Sequence, residues 1–194
     1  ITVGAMTDNY TPQDPTDGVF LLAAGRVKIF TLTEDGKQAI LAFIEPGELF
    51  GELAVLEPGV HEDYADACED TLVIRIPVEV MQELMEEYPS VGTGITKLIG
   101  LRRRRLERRL RSFLFRSNRE RLVLALLDLA EQYGYPTADG IQLRVKLSHQ
   151  DLANMIGSTR ESVTIALGEL QAASHLQVGR RKIVLVDLER LAGS

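Results

Sequence analysis

Short apolar and alternating segments dominate the first part of the chain. "VFLLAAGRVKIFTLT" and "KQAILAFI" have the period of half-buried strands. Between them "EDGK" holds the Asp35-Gly36 pair, which favours a hairpin turn. "QDPTDG", "EPGEL" and "EPGVHED" supply the Pro, Gly and Asp of further turns. Many short strands at this spacing predict an antiparallel sandwich or barrel. "PVEVMQELMEEYP" predicts a short helix that closes the unit.

One long helix is predicted next, from about Ser90 to Phe115. Its apolar stripe runs through Ile95, Ile99, Leu106, Leu110 and Phe113. The three- and four-residue steps join up only if position 102 belongs to the stripe, and that residue is Arg102. Such a stripe can pack on its own domain or pair with a second copy. Pairing is the expectation, because the helix lies between two units and its other faces are rich in arginine.

The last third reads as helices followed by a small hairpin. Ser117-Asn118-Arg119-Glu120 has the pattern of a capping box, and that helix is expected to end on Gly134. "IQLRVKL" predicts a strand, and "LQVGRRKIVLVD" two strands around a basic turn. The segment "LSHQDLANMIGSTRESVTIALGEL" holds two short amphipathic runs on either side of Gly157. Ser148 and Asp151 fit the first helix start, and Ser158 with Glu161 a capping box for the second. Ala153 allows a close crossing, and Val163 and Leu167 hold the second helix against the first.

This spacing is that of a helix-turn-helix, in which the N-terminal residues of the second helix face the bases of the major groove. Ser158, Thr159, Arg160, Glu161, Ser162 and Thr164 are then the candidate DNA-facing residues. Arg160 can fork onto guanine O6 and N7, and Glu161 can accept from a cytosine amino group. Ser148, His149 and Gln150, at the start of the first helix, join the candidate set. Arg180, Arg181 and Lys182 would form a wing that contacts phosphates.

Charge sharpens this picture. The net charge of −6 hides a division. Residues 1–90 hold 18 acids and 4 bases, a net of −14, and residues 91–194 hold 10 acids and 18 bases, a net of +8. The second half alone argues for a polyanion partner. Phosphate contacts would then supply most of the affinity, which should fall steeply with salt. Arg102 to Arg105, with Arg108, Arg109 and Arg111, read as a solvated helix face set partly against the acidic half.

The one cysteine, Cys68, excludes a disulfide framework within the chain and reads as a small buried hydrophobe. A reducing cytoplasm is the expected location, and no segment reads as a membrane span. An enzyme is not expected. His61, His149 and His175 are the only histidines, and only His61 falls in the strand-rich half, too few for a metal-dependent barrel enzyme. No cofactor is expected.

On these residues the chain resembles the CRP/FNR family of bacterial transcription regulators over nearly its whole length. "GELFGELAVL" followed by "PG" resembles the turn and short helix of that family's cyclic-nucleotide-binding jelly roll, and "GSTRESVT" its recognition helix. "YGYPTADGIQL", "KLSHQDLA" and "IGSTR" are similar to the family's cyanobacterial nitrogen-control branch, as is "QDPTDGVFLLAAGRV".

The resemblance implies an α+β chain with an N-terminal antiparallel β jelly roll over 1–88, a long dimerisation helix over 89–115 and a C-terminal winged helix-turn-helix over 116–194. It implies a homodimer on a two-fold symmetric operator of double-stranded DNA, usually an activator in contact with RNA polymerase. An N-terminal extension is expected to precede the first strand.

The resemblance also implies a departure. Base-reading members place an arginine four residues after the glutamate that matches Glu161, and here that position is Ile165. Discrimination at its base pair should be relaxed or altered by about 1–3 kcal/mol. His149 matches a phosphate-contacting arginine, or is an exposed histidine at a helix start.

Gly51, Glu52 and Leu53 match the segment that binds ribose in cAMP-dependent members. The positions that grip the cyclic phosphate carry Glu62 and Asp63, which would repel it. Tight cAMP binding by that mode is not expected. Arg102 and Glu107 match residues of a 2-oxoglutarate pocket, whose second arginine is replaced by Asp63. Two readings of Arg102 stay open: a carboxylate effector, or an ion pair to the jelly roll with no ligand. The expected control is effector-independent or at least not by cAMP. The alternative is a sensor for a small carboxylate such as 2-oxoglutarate, or for a cyclic nucleotide, with weakened DNA specificity.

Overall fold

A computed structural model describes residues 2–3, 8–57, 59–179 and 182–192. The chain divides into two compact units, 1–106 and 107–194, with the division inside the long helix.

The first unit is built from two four-stranded antiparallel sheets. Strands β1 (Thr2–Val3), β8 (Thr71–Pro77), β3 (Gly18–Ala24) and β6 (Leu49–Phe50) form one, in that order. The other runs β2 (Asp8–Tyr10), β7 (Tyr64–Ala67), β4 (Val27–Leu32), β5 (Gln38–Ile44). The predicted hairpin joins β4 to β5, with Thr31 opposite Ala39 and Gly36 at φ 76° in the turn.

Alternate side chains of both sheets meet in a core of Tyr10, Phe20, Leu22, Val27, Ile29, Ile44, Phe50, Ala65 and Val73. Phe20 and Phe50 stack with ring centroids 5.1 Å apart, and Tyr10 stacks on the buried His61 at 3.6 Å. His61 is thus a core residue, and burial pulls its pKa down. Cys68 lies just past β7 and is exposed, which corrects the expectation of a buried thiol. The period-two alternation that buries Ala65 and Ala67 has ended there.

Helix α1 (Val78–Glu87) is followed by α2 (Pro89–Phe115). Ile95 is buried beside Val19 and Met81, with Ile99 packed against the same cluster. These two stripe positions therefore serve the core of their own unit, which corrects their assignment to a pairing face. Leu106 and Leu110 remain exposed. Phe113 keeps some exposure, but in the second unit its ring lies against Gly157 and 5.1 Å from the Arg121 guanidinium.

The second unit holds α3 (Asn118–Tyr133), α4 (His149–Ile156) and α5 (Arg160–Ala172). Its four-stranded sheet has the order β11 (Leu176–Gly179), β12 (Lys182–Leu185), β10 (Gly140–Leu143), β9 (Gly134–Thr137). A short α6 (Leu188–Ala192) follows. The Ser117–Glu120 capping box forms as read.

Gly134 does end α3, but at φ −78°, not in the left-handed conformation. A Cβ there would lie 2.3 Å from the Ala130 carbonyl oxygen, so close packing is what requires glycine. The strand expected over "IQLRVKL" stops at Leu143, although Val145 and Leu147 continue the buried alternation. Arg108 pairs with Asp128 of α3 at 3.0 Å, so this arginine of the helix face is held within the second unit.

Candidate functional site

Two clusters carry the candidate chemistry, one in each unit. In the second unit, the Ser148 side chain caps α4 by accepting from the Asp151 N–H, and Asp151 closes the capping box. Gly157 ends α4 at φ 59°, and the Ser158 N–H returns to the Ala153 carbonyl. Ser158 is thereby spent on closing α4, and the cap of α5 moves on one residue. Thr159 accepts from the Ser162 N–H, which corrects the expected Ser158–Glu161 capping box. The Ser158 hydroxyl oxygen is instead buried with no hydrogen-bond partner among the described residues.

Helix α5 buries Val163, Ala166, Leu167 and Leu170 and exposes Arg160, Glu161, Thr164 and Ile165. Helix α5 packs on α4, where Ala153 is fully buried. Arg160 and Glu161 make no side-chain hydrogen bond or ion pair among the described residues, so their full hydrogen-bonding capacity faces outward.

The His149 Nδ1 lies 2.8 Å from the Thr164 Oγ1, which itself donates to the Arg160 carbonyl at 2.8 Å. Gln150 is exposed and donates to Asn154. Ser162 is half-buried under the Thr159 hydroxyl. Lys182 is exposed at the start of β12, while Arg180 and Arg181 lie outside the described residues.

In the first unit, Gly51 takes a left-handed conformation and leads into a 3-10 turn, Glu52–Val55. Leu53 of that turn faces solvent, but Glu52 is buried. The Arg102 guanidinium meets the Glu52 carboxylate at 2.5 Å and donates to the Leu49 carbonyl at 2.5 Å. The residue that broke the apolar stripe of α2 is therefore bound to the jelly roll. Of the proposed pocket, Glu52, Asp63 and Arg102 come together, whereas Glu107 belongs to the second unit.

The sequence reading missed Tyr10, whose hydroxyl donates to Asp63. Burial raises the Tyr10 pKa well above its ordinary value, and the charges of Asp63 and Glu52 add to the rise while Arg102 opposes it. Nothing in the polar surroundings of Tyr10 in the sequence marked it. Only the pairing of β2 with β7 brings it to Asp63.

Burial also raises the Asp63 pKa, with help from Glu52 and Glu62, against the hydrogen bond from Tyr10. A carboxyl with a raised folded-state pKa stabilises the fold below its ordinary value of 3.8, and that contribution is lost as pH rises through the folded-state value. Above that folded-state value the ionised Asp63 is therefore a liability. Asp63→Asn keeps an acceptor for Tyr10 and removes the charge. Thermal denaturation should show a higher midpoint for the variant at pH 7. The advantage should shrink towards pH 4.

No helix among the described residues is long and apolar enough to cross a membrane. No group of three His, Cys, Asp or Glu side chains among them is placed to hold a metal.

Comparison with known proteins agrees with this architecture. A cyclic nucleotide-binding domain model matches residues 10–88, and a Crp-like helix-turn-helix domain model matches residues 120–193. The chain is 32% identical over 181 residues to the global nitrogen regulator of Synechococcus elongatus, covering 92% of this chain and 81% of that protein. It is 24% identical to the CRP-like cAMP-activated global transcriptional regulator of Mycobacterium tuberculosis, covering 94% and 82%.

Among solved structures it is similar to a CooA mutant from Carboxydothermus hydrogenoformans, with a TM-score of 0.86 and 26% identity over 100% of this chain and 85% of that one. FixK2 from Bradyrhizobium japonicum gives a TM-score of 0.84 and 26% identity, over 100% and 94%. The relatives so named include regulators of transcription and no enzyme. With its jelly roll, its long helix and a helix-turn-helix whose second helix holds Arg160 and Glu161 outward, the chain belongs to the CRP/FNR family of DNA-binding transcription regulators.

Proposed function

We propose that two copies of the chain bind a two-fold symmetric operator and act on transcription through RNA polymerase in the cytoplasm. Control is exerted without an effector, or at least without cAMP. Helix α5 enters the major groove, where Arg160 and Glu161 read bases. Ser148, His149 and Gln150 approach the backbone, as do Thr159, Ser162 and the wing at Lys182, with Arg180 and Arg181 assigned there from sequence alone. The single observation that carries this reading is the exposed pair Arg160 and Glu161, without a side-chain partner among the described residues, on a helix whose opposite face is fully packed.

Control without an effector is supported by the Arg102–Glu52 ion pair. The one cation that interrupts the α2 stripe already has a carboxylate and a carbonyl as partners. Asp63 beside it adds a negative charge unfavourable to a phosphate or a carboxylate ligand. The functional division proposed is 1–88 for the sensor-like jelly roll, 89–115 for the helix that pairs, and 116–194 for DNA binding.

Fluorescence anisotropy on a symmetric duplex with TGT and ACA half-sites tests the reading, without ligand and then with 2-oxoglutarate or cAMP. Binding unchanged by either compound is the expected result. Binding that appears only with 2-oxoglutarate would replace the ion-pair account with a working carboxylate pocket. On the same duplexes, Arg160→Ala should relax discrimination at one base pair in each half-site by about 1–3 kcal/mol. Equal weakening on every sequence would make Arg160 a phosphate contact.

A further inference from the structure

The DNA-facing stripe of α5 has an apolar element that its arginine and glutamate leave unexplained. Ile165 is 64% exposed, although it sits on a helix with a well-packed opposite face. It follows Glu161 by one helical turn, so both lie on the same stripe. Gly168, one further turn along, is also exposed, and a Cβ there would meet nothing within 4 Å. Packing within the unit therefore explains neither the isoleucine nor the mid-helix glycine.

Thr164 stands beside Ile165. Its hydroxyl donates to the Arg160 carbonyl and its Oγ1 lies 2.8 Å from the His149 Nδ1, so both of its hydrogen-bond partners belong to the domain. With its hydroxyl so engaged, Thr164 has chiefly a methyl group to offer a ligand. Thr164 and Ile165 together present an apolar step on an otherwise polar helix face. The major-groove edges of the four bases differ in one apolar feature, the C5 methyl of thymine.

We infer that Ile165, supported by the Thr164 methyl, reads a thymine methyl in each half-site. This rests on the major-groove reading of α5 and deepens it. The base pair facing Ile165 is not read loosely: it is selected by apolar contact instead of by a hydrogen bond. His149 acts as a positioning residue, because its bond to Thr164 keeps that hydroxyl from a base.

The test starts from duplexes enriched by the wild-type protein out of a random pool. Each thymine is then replaced by deoxyuridine, which removes the methyl and preserves every hydrogen-bonding group. One thymine per half-site should lose about fourfold in affinity on replacement, the effect of one buried methyl-sized group. In Ile165→Ala the same replacement should change affinity less than twofold. The residue is exposed and alanine is a better helix former, so this variant folds.

Bound duplexes that are indifferent to deoxyuridine at every thymine would overturn the role of Ile165 and leave the DNA-binding reading standing. A loss that persists unchanged in Ile165→Ala would do the same. Failure to enrich any duplex would overturn both.

Discussion

Arg102→Ala is expected to destabilise the N-terminal unit by about 3–5 kcal/mol, the cost of leaving one member of a buried ion pair uncompensated. The Glu52 side chain is only 8% exposed, and the guanidinium is its ion-pair partner. Removing Arg102 also strips a donor from the Leu49 carbonyl and leaves the Glu52 carboxylate with Asp63 as its ionisable neighbour.

Replacing both partners, as Glu52→Gln with Arg102→Met, should cost far less, because no charge is then orphaned. Urea unfolding, with hydrogen exchange read over β3 and β6, separates the two variants. A loss below about 1 kcal/mol for Arg102→Ala would mean that water reaches the pair freely.

The second large effect concerns assembly. If two copies pair through α2 as proposed, Leu110→Asp should leave a monomer and cost at least about a hundredfold in operator affinity, since the second half-site no longer adds to the first. Leu106, Leu110 and Leu114 are 47%, 60% and 66% exposed on α2, where a single chain has no use for them. A two-fold axis along such a face brings each residue near its own copy, so one substitution introduces two like charges at the seam. Because Leu110 is exposed, circular dichroism should show the fold intact. Sedimentation that still reports a dimer would move the pairing face away from α2.

Local patterns carried much of this architecture. Strand alternation, the Asp35-Gly36 turn and the capping boxes at Ser117 and Ser148 are all short-range rules, and each appears where the residues imply it. The cap of α5 was misplaced by one residue because Ser158 and Thr159 are chemically equivalent candidates. The choice between them depends on how the preceding helix closes at Gly157.

Ile95 looked like part of a pairing stripe because periodicity tells which residues share a face, not what covers it. Val19 and Met81 cover it, from distant parts of the chain. Tyr10 and Cys68 were misjudged or missed for the same reason: the sequence holds no local trace of β2 pairing with β7 or of the place where β7 stops.

The turn between α4 and α5 has a consequence for how the sequence can drift. Gly157 is left-handed, and a Cβ on it would stand 3.0 Å from the Phe113 ring, which the Arg121 guanidinium covers at 5.1 Å. A lineage that mutates Gly157 first meets backbone strain and a clash together. A lineage that first trades Phe113 for a smaller side chain meets only the backbone term, which asparagine tolerates best. Epistasis between these two positions should therefore be directional: the ring has to shrink before the glycine can be lost.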